Sequence, residues 1–180
     1  MLQLIVPPRE LWDERAEEFV YSKKHVLQLE HSLVSLSKWE SKWCKPFLAK
    51  SEKTDEEILD YIRCMTINQN VSQEAYAYMT EQNVEDIYAY IEAPMTATHV
   101  EKLQKDDGPR DTVTSELIYY WMITFGIPFE CQKWHLNRLL ALIEVCEFKN
   151  SPPKKMSAQE IFDRNRALNE KRRNKWNSKG

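Results

Sequence analysis

Hydrophobic positions in this 180-residue chain follow a strand-like pattern only near the N-terminus and a helical pattern thereafter. The apolar run Leu2–Val6 and the partly alternating segment His25–Leu29 predict two short strands that pair as a small sheet or hairpin. Large apolar side chains then recur every three or four residues over 31–44, which predicts a helix that Pro46 stops. These side chains are Leu33, Leu36, Trp39 and Trp43.

Polar side chains mark the starts of the next helices. Thr54 and Glu57 have the spacing of a capping box, which predicts a helix that continues to about Cys64. Ser72 and Asn83 are each followed by acidic residues, so both are predicted to be N-caps of short helices. This region is therefore predicted to consist of helices.

The clearest helical unit lies in the C-terminal half. A helix is predicted from about Thr114 to Gly126, where glycine suits the position just past a helix end. Pro128 suits the first turn of a second helix that runs to about Phe148. So short a connection predicts an antiparallel helical pair. Charge, glycine and proline over 99–110 predict an exposed loop before this pair.

Glycine scarcity supports a mainly helical fold. Only three glycines occur, whereas phosphate-binding loops and nucleotide-binding turns depend on them. We predict a mainly α protein, with a single helical domain over residues 1–150 that includes the N-terminal strands. Residues 151–180 are predicted to form a basic C-terminal helix or tail, which Ser157 and Glu160 begin with a capping box.

The net charge of −3 conceals an uneven distribution. Residues 149–180 carry ten Lys or Arg and three Asp or Glu, giving +7, so residues 1–148 carry −10. Such a division favours self-association or an acidic partner for the tail. Nucleic acid is a weaker interpretation, because the tail has only Phe162 and Trp176 as aromatic residues and no recognised reading motif.

Candidate catalytic and metal-binding residues are few. Cys131 and His135 are four apart, which would place both on one helix face, but no third ligand has useful spacing. Glu30, His31 and Ser32 are adjacent, yet no nucleophile turn accompanies them. We therefore predict no enzymatic activity, no cofactor and no bound metal, and we expect the four cysteines to be free thiols in a reducing cytoplasm.

Aromatic side chains are the strongest candidates for partner binding. Tyr119, Tyr120, Trp121 and Phe125 cluster on one predicted helix, where they form either core or a groove for a partner helix. Trp39, Trp121 and Leu139 are predicted to be core residues. The residues predicted to bind a partner are Trp43, Tyr120, Trp134, Arg164, Arg172 and Arg173.

Several stretches of the chain resemble a family of small helical proteins of tailed bacteriophages, identified as the tail assembly chaperones. The resemblance extends from residue 11 to about residue 170. The stretches are LWDE (11–14), LEHSLVSLSKWESKW (29–43), KPF (45–47), IEAPMTAT (91–98), SELIYYWMI (115–123), WHLNRLL (134–140) and PPKKMS (152–157).

This resemblance implies a non-enzymatic protein made in the cytoplasm of the infected bacterium. It would bind the long helical tape-measure protein, or other phage tail proteins, and keep the tape measure soluble while the tail forms. It could also assemble with itself. The alternatives are a structural virion protein of the head–tail connector or tail, and a regulator that binds nucleic acid. A membrane protein is not expected, because the longest uncharged run, 117–129, is too short to span a bilayer.

Overall fold

The computed structural model describes residues 1–15, 17–98, 112–150 and 158–176. The chain divides into two compact units, Met1–Phe148 and Lys149–Gly180. The described residues are mainly helical, with a small β element at the N-terminus, which confirms the predicted fold class.

Strands β1 (Leu2–Val6) and β4 (His25–Leu29) pair antiparallel, as predicted. Leu2 lies opposite Leu29, and Val6 lies opposite His25. Leu4, Val6, Leu27 and Leu29 are buried, because alternate side chains of each strand point into the core.

A second hairpin between these strands was not predicted. Strand β2 (Glu10–Asp13) pairs with β3 (Glu18–Tyr21), and Trp12 packs edge-on against Phe19, with 4.9 Å between ring centroids. Its turn uses Glu17 in the left-handed region (φ 52°) rather than a glycine. The apolar side chains of this hairpin are exposed, so no buried face produced a detectable pattern.

Helices α1 (Leu33–Trp43) and α2 (Asp55–Met65) follow the predicted boundaries closely. The Thr54 side chain accepts from the Glu57 N–H, and Glu57 accepts from the Thr54 N–H, so the capping box is confirmed. Helix α1 ends at Cys44 in the left-handed region (φ 50°), two residues before Pro46.

The cap predicted at Asn83 is wrong. Helix α3 spans Gln73–Ala77 with Ser72 at its N-cap, whereas α4 spans Glu81–Glu92 with Thr80 at its N-cap. Asn83 is the third residue of α4, and its side chain accepts from the Thr80 N–H. Thr80 and Asn83 therefore cap the helix reciprocally, and the N-cap lies three residues before the predicted position.

The helix predicted from Pro128 to Phe148 is interrupted. Helix α5 (Ser115–Thr124) is followed by Gly126 in the left-handed region (φ +64°), as predicted. A 3-10 helix, Phe129–Lys133, comes next, and α6 begins only at Leu136 and runs to Asn150. The break arises because His135 pairs its backbone with Ser32 in an isolated bridge.

In the second unit, α7 (Ala158–Trp176) is the predicted basic helix. Two predicted features lie outside the described residues: the loop at 99–110 and the cap at Ser157. None of the described helices is long and apolar enough to cross a membrane.

The core of the first unit draws side chains from β1, β4, helices α1 to α6 and the 3-10 helix. Trp39 is 1% exposed and Leu139 is fully buried, which confirms both as core residues. The assignment of Trp121 needs correction, because its side chain is only partly buried against this core.

A candidate helix-binding groove

An open, mostly apolar groove of about 700 Å³ lies on the first unit. Its walls come from the loop after α1, the residues just before α5, and the facing sides of α5 and α6. The lining residues are Leu48, Ala49, Lys50, Thr112, Val113, Trp121, Phe125, Leu140, Ile143, Glu144 and Glu147. We call this site the α5–α6 groove.

Helical spacing explains how the two long walls form. Trp121 and Phe125 are four apart on one side of α5 and its C-terminal cap. Leu140, Ile143 and Glu144 are spaced i, i+3 and i+4 on α6, so they line up along one face. The floor is thus apolar, while Glu144 places a carboxylate beside it.

A buried carboxylate fixes the third wall relative to α5. Glu40 of α1 is 6% exposed. Its two oxygens accept from the Phe47 N–H (2.9 Å) and from the N–H of Ser115, the first residue of α5 (2.7 Å). The loop that leads to Leu48 and the start of α5 are therefore held by one side chain.

The charged residues of the groove are unevenly distributed. Glu144 and Glu147 lie about one helical turn apart on α6, and Lys50 is the one basic residue among the lining residues that the structure describes. An apolar floor with carboxylates on one side suits an amphipathic segment that carries Lys or Arg beside its apolar stripe.

The four residues of the predicted aromatic run have three different environments. Trp121 and Phe125 line the groove, and Tyr119 donates to Gln132 (2.9 Å) beside the 3-10 helix. Tyr120 is 61% exposed on another side of α5 and does not line the groove.

Two tryptophans predicted to bind a partner have contacts within the first unit. The Trp43 indole N–H donates to Asp60 (2.9 Å), and its ring lies 6.2 Å from that of Trp39. The Trp134 ring lies under the Arg138 guanidinium at 4.1 Å. Both side chains remain partly exposed, so partner binding stays a prediction for them.

The remaining predicted residues, Arg164, Arg172 and Arg173, are exposed on α7 in the second unit.

The α6 wall of the groove was not predicted from the sequence. The spacing of Leu140, Ile143, Glu144 and Glu147 carried the signal, because an apolar pair followed by acids on the same face marks the border of a buried stripe.

The two potential metal ligands are not on one helix, as the sequence predicted, but in different elements. Cys131 is buried in the 3-10 helix, and His135 lies outside both flanking helices. Within the described ranges, no group of three or more His, Cys, Asp or Glu residues is arranged to hold a metal ion. The four cysteines are free thiols.

Glu30, His31 and Ser32 each make their own hydrogen bonds in a polar cluster of the first unit. Ser32 caps α1 by accepting from the Ser35 N–H. His31 Nδ1 lies 2.6 Å from the Tyr61 hydroxyl. Glu30 accepts from the Tyr90 hydroxyl (2.7 Å) and pairs with the N-terminal ammonium (2.9 Å).

A second histidine completes this buried polar cluster. The rings of His31 and His135 are 5.1 Å apart, edge to face. His135 Nδ1 accepts from the Asn137 N–H, so Nε2 carries the proton and donates to the Tyr90 carbonyl (3.0 Å). Burial and the neighbouring His135 lower the pKa of His31 to about 3. Burial also lowers the pKa of His135, although the Tyr90 carbonyl and Glu30 oppose that shift.

These histidines predict acid sensitivity. An unfolded histidine titrates near pH 6.5, whereas folded His31 has a pKa of about 3. The unfolded state binds more protons between these values, so stability falls as pH drops. We expect a loss of about 1.5 kcal/mol from His31 between pH 6.5 and pH 5, measured by urea unfolding. In His31→Gln the free energy of unfolding should depend less on pH. An unchanged pH dependence would contradict the role of His31 in this acid sensitivity.

Comparison with protein-family models, curated proteins and solved structures finds no match to this chain.

Proposed function

We propose that this protein is a non-enzymatic helix-binding protein, and that it acts as a tail assembly chaperone for a bacteriophage tape-measure protein. The observation that carries helix binding is the α5–α6 groove, with its apolar floor and its carboxylates on α6. The phage assignment depends on the sequence resemblance alone.

The groove suits one kind of occupant. Trp121, Phe125 and Leu140 provide a partly exposed apolar contact surface, with the buried Ile143 behind it. An amphipathic helix contacts such a surface with side chains spaced i, i+3 or i+4, and i+7. Glu144 would then meet a basic side chain that borders the apolar stripe of that helix. Tape-measure proteins are long and helical, so unassembled segments need their apolar faces covered.

Helix binding can be tested with a labelled synthetic helix that has leucines along one stripe and lysines beside it. Fluorescence anisotropy would measure its affinity for the full chain. We expect Glu144→Lys to weaken binding about five-fold to ten-fold, because reversing a rim charge costs roughly 1 kcal/mol. The fold should be unaffected, since Glu144 is only partly buried.

Glu85→Lys is the matched control. Glu85 is exposed on α4, outside the groove lining, and the substitution changes charge equally. If both variants weaken binding to the same degree, the effect is net charge and the groove assignment fails. Leu140→Glu adds a second test, because it places a charge on the groove floor.

The chaperone proposal and the structural-virion alternative differ in where the protein ends up. Mass spectrometry of purified phage particles would find a chaperone absent and a connector or tail subunit present in stoichiometric amount. Co-expression with the tape-measure protein should increase the soluble fraction of that protein if the chain is a chaperone. Glu144→Lys should reduce this gain.

A further inference from the structure

Two buried histidines meet where the start of α6 contacts the junction of β4 and α1. His31 is 2% exposed and His135 is 6% exposed, and their rings are in edge-to-face contact at 5.1 Å. Main-chain contacts join the same two sites: His135 bridges to Ser32, and the Leu136 N–H donates to the His31 carbonyl (2.7 Å). These contacts together hold the first residues of α6 in place.

Both rings make hydrogen bonds that require their neutral form. His31 Nδ1 lies 2.6 Å from the Tyr61 hydroxyl, which donates to it, since burial raises the pKa of Tyr61 and the hydroxyl keeps its proton. His135 Nδ1 accepts from the Asn137 N–H, while Nε2 donates to the Tyr90 carbonyl. A proton added to either Nδ1 would remove an acceptor and place a charge in a buried site.

The titratable and charged groups around the rings compensate little for such a charge. Tyr61 on α2 and Tyr90 on α4 stay neutral, because burial raises the pKa of both hydroxyls. Glu30 favours a protonated His135, but the N-terminal ammonium that pairs with Glu30 (2.9 Å) opposes it. A charge on His135 also disfavours a second charge on His31. The neutral pair is therefore the form that this arrangement stabilises.

Two walls of the α5–α6 groove are connected to the histidine pair. Leu140, a groove residue, follows Leu136 by about one helical turn on α6. The ring of Tyr61, which bonds one of the histidines, stacks on Phe47 with 3.8 Å between ring centroids. Phe47 directly precedes the groove residue Leu48. A displacement at either histidine can therefore reach a wall of the groove.

We propose that the contact between His31 and His135 is a pH-sensitive latch, which holds the start of α6, and that its release in mild acid weakens helix binding in the α5–α6 groove. The closed state has the contacts described above. In the open state, residues 135–137 leave the junction of β4 and α1. This inference rests on the proposed function of helix binding and adds its regulation.

Acid favours the open state. In the closed state the pKa of His31 is about 3, whereas an exposed histidine has a pKa near 6.5. The open state therefore binds a proton that the closed state does not bind. The equilibrium constant for opening should rise about 30-fold between pH 7.5 and pH 5 from His31 alone. A ligand that needs the closed state should shift the equilibrium in the opposite direction.

Amide hydrogen exchange in the full chain measures this opening. The Leu136 N–H reports on the latch because it donates to the His31 carbonyl, and the Ile62 N–H within α2 reports on global unfolding. After correction for intrinsic exchange rates, Leu136 should open more often than Ile62, and its opening should increase about 30-fold from pH 7.5 to pH 5. Equal opening at both amides, or no effect of pH at Leu136, would overturn the latch.

His31→Gln removes the titrating ring and keeps a side-chain acceptor for the Tyr61 hydroxyl. Opening at Leu136 should then depend much less on pH. His25→Gln is the matched control, because His25 begins β4 opposite Val6, whereas His31 follows the end of that strand. The same pH dependence in both variants would contradict the proposal. Circular dichroism would verify folding, and the exchange data on the original chain decide the matter if His31→Gln does not fold.

A bound helix tests the connection to the groove. The probe is a synthetic helix whose leucine stripe is bordered by glutamines, so that protonation of Glu144 and Glu147 in acid removes no charge attraction. By linkage, saturating probe should slow Leu136 exchange at pH 5.5 by about ten-fold. Its affinity should fall in acid for His25→Gln and change less for His31→Gln. Unchanged exchange with the probe bound would show that latch and groove are not coupled.

Failure of the regulation and failure of the proposed function give different results. If neither the basic helix nor the glutamine-bordered helix binds at pH 7.5, the groove is not a helix-binding site, and Leu136 exchange still decides whether the latch exists. If both helices bind at pH 7.5 but Leu136 exchange responds to neither pH nor ligand, helix binding stands and the latch is wrong.

Discussion

Replacing Trp39 with alanine is expected to lower the free energy of unfolding by about 3–5 kcal/mol, the usual cost of truncating a buried tryptophan. The loss is large because Trp39 is only 1% exposed and joins two helices. Its indole N–H donates to the Glu57 carbonyl in α2 (2.8 Å), and its ring packs edge-on against Phe47 at 5.0 Å. Since many domains are stable by only ~5–15 kcal/mol, a marked fall in melting temperature should follow.

Two other tryptophans provide the comparison. Trp176→Ala should change stability little, because that side chain is 78% exposed on α7. Trp121→Ala should fall between the two, because Trp121 is partly buried and lines the groove. Chemical denaturation of the three variants measures this order. A loss for Trp39→Ala no larger than that for Trp176→Ala would contradict its place in the core.

The helical framework was predictable because its signals are local. The Thr54–Glu57 capping box and Gly126 each act within a few residues, and both occur where the sequence placed them. The pairing of β1 with β4 was also visible, since one face of each strand is buried and the apolar residues show it.

The interruption before α6 has a cause that is distant in sequence. The His135 backbone bridges to Ser32, more than one hundred residues away, and the Leu136 N–H donates to the His31 carbonyl (2.7 Å). A continuous helix over 128–148 would lose these contacts. Local propensity could not reveal the competition between the two arrangements.

The candidate groove was predictable only in part. The aromatic run over 119–125 indicated a binding face, and Trp121 and Phe125 do line the groove. The sequence could not show that Leu140 faces them across the groove or that Tyr120 points elsewhere, because both depend on how α5 and α6 pack. The β2–β3 hairpin was missed for a different reason, since its exposed side chains leave no buried face to mark the strands.

Glu40→Ala is expected to cost about 2–5 kcal/mol, because it leaves two buried backbone donors, Phe47 N–H and Ser115 N–H, without their acceptor. The carboxylate also lies at the N-terminus of α5, where negative charge is favourable. Glu40→Gln should lose less, since its amide oxygen still accepts one of the two bonds. Denaturant unfolding would rank the variants, with the exposed Glu85→Ala as the control.

The same carboxylate should matter for binding, which separates its role from that of an ordinary buried group. Glu40 holds the start of α5, and α5 carries Trp121 into the groove. In Glu40→Gln, hydrogen exchange at the Ser115 amide should accelerate, and the affinity for the basic amphipathic helix should fall even where the protein is fully folded. Normal affinity together with faster exchange would show that the groove does not depend on this anchor. If Glu40→Ala lost as little stability as Glu85→Ala, Glu40 would not hold the start of α5 in place.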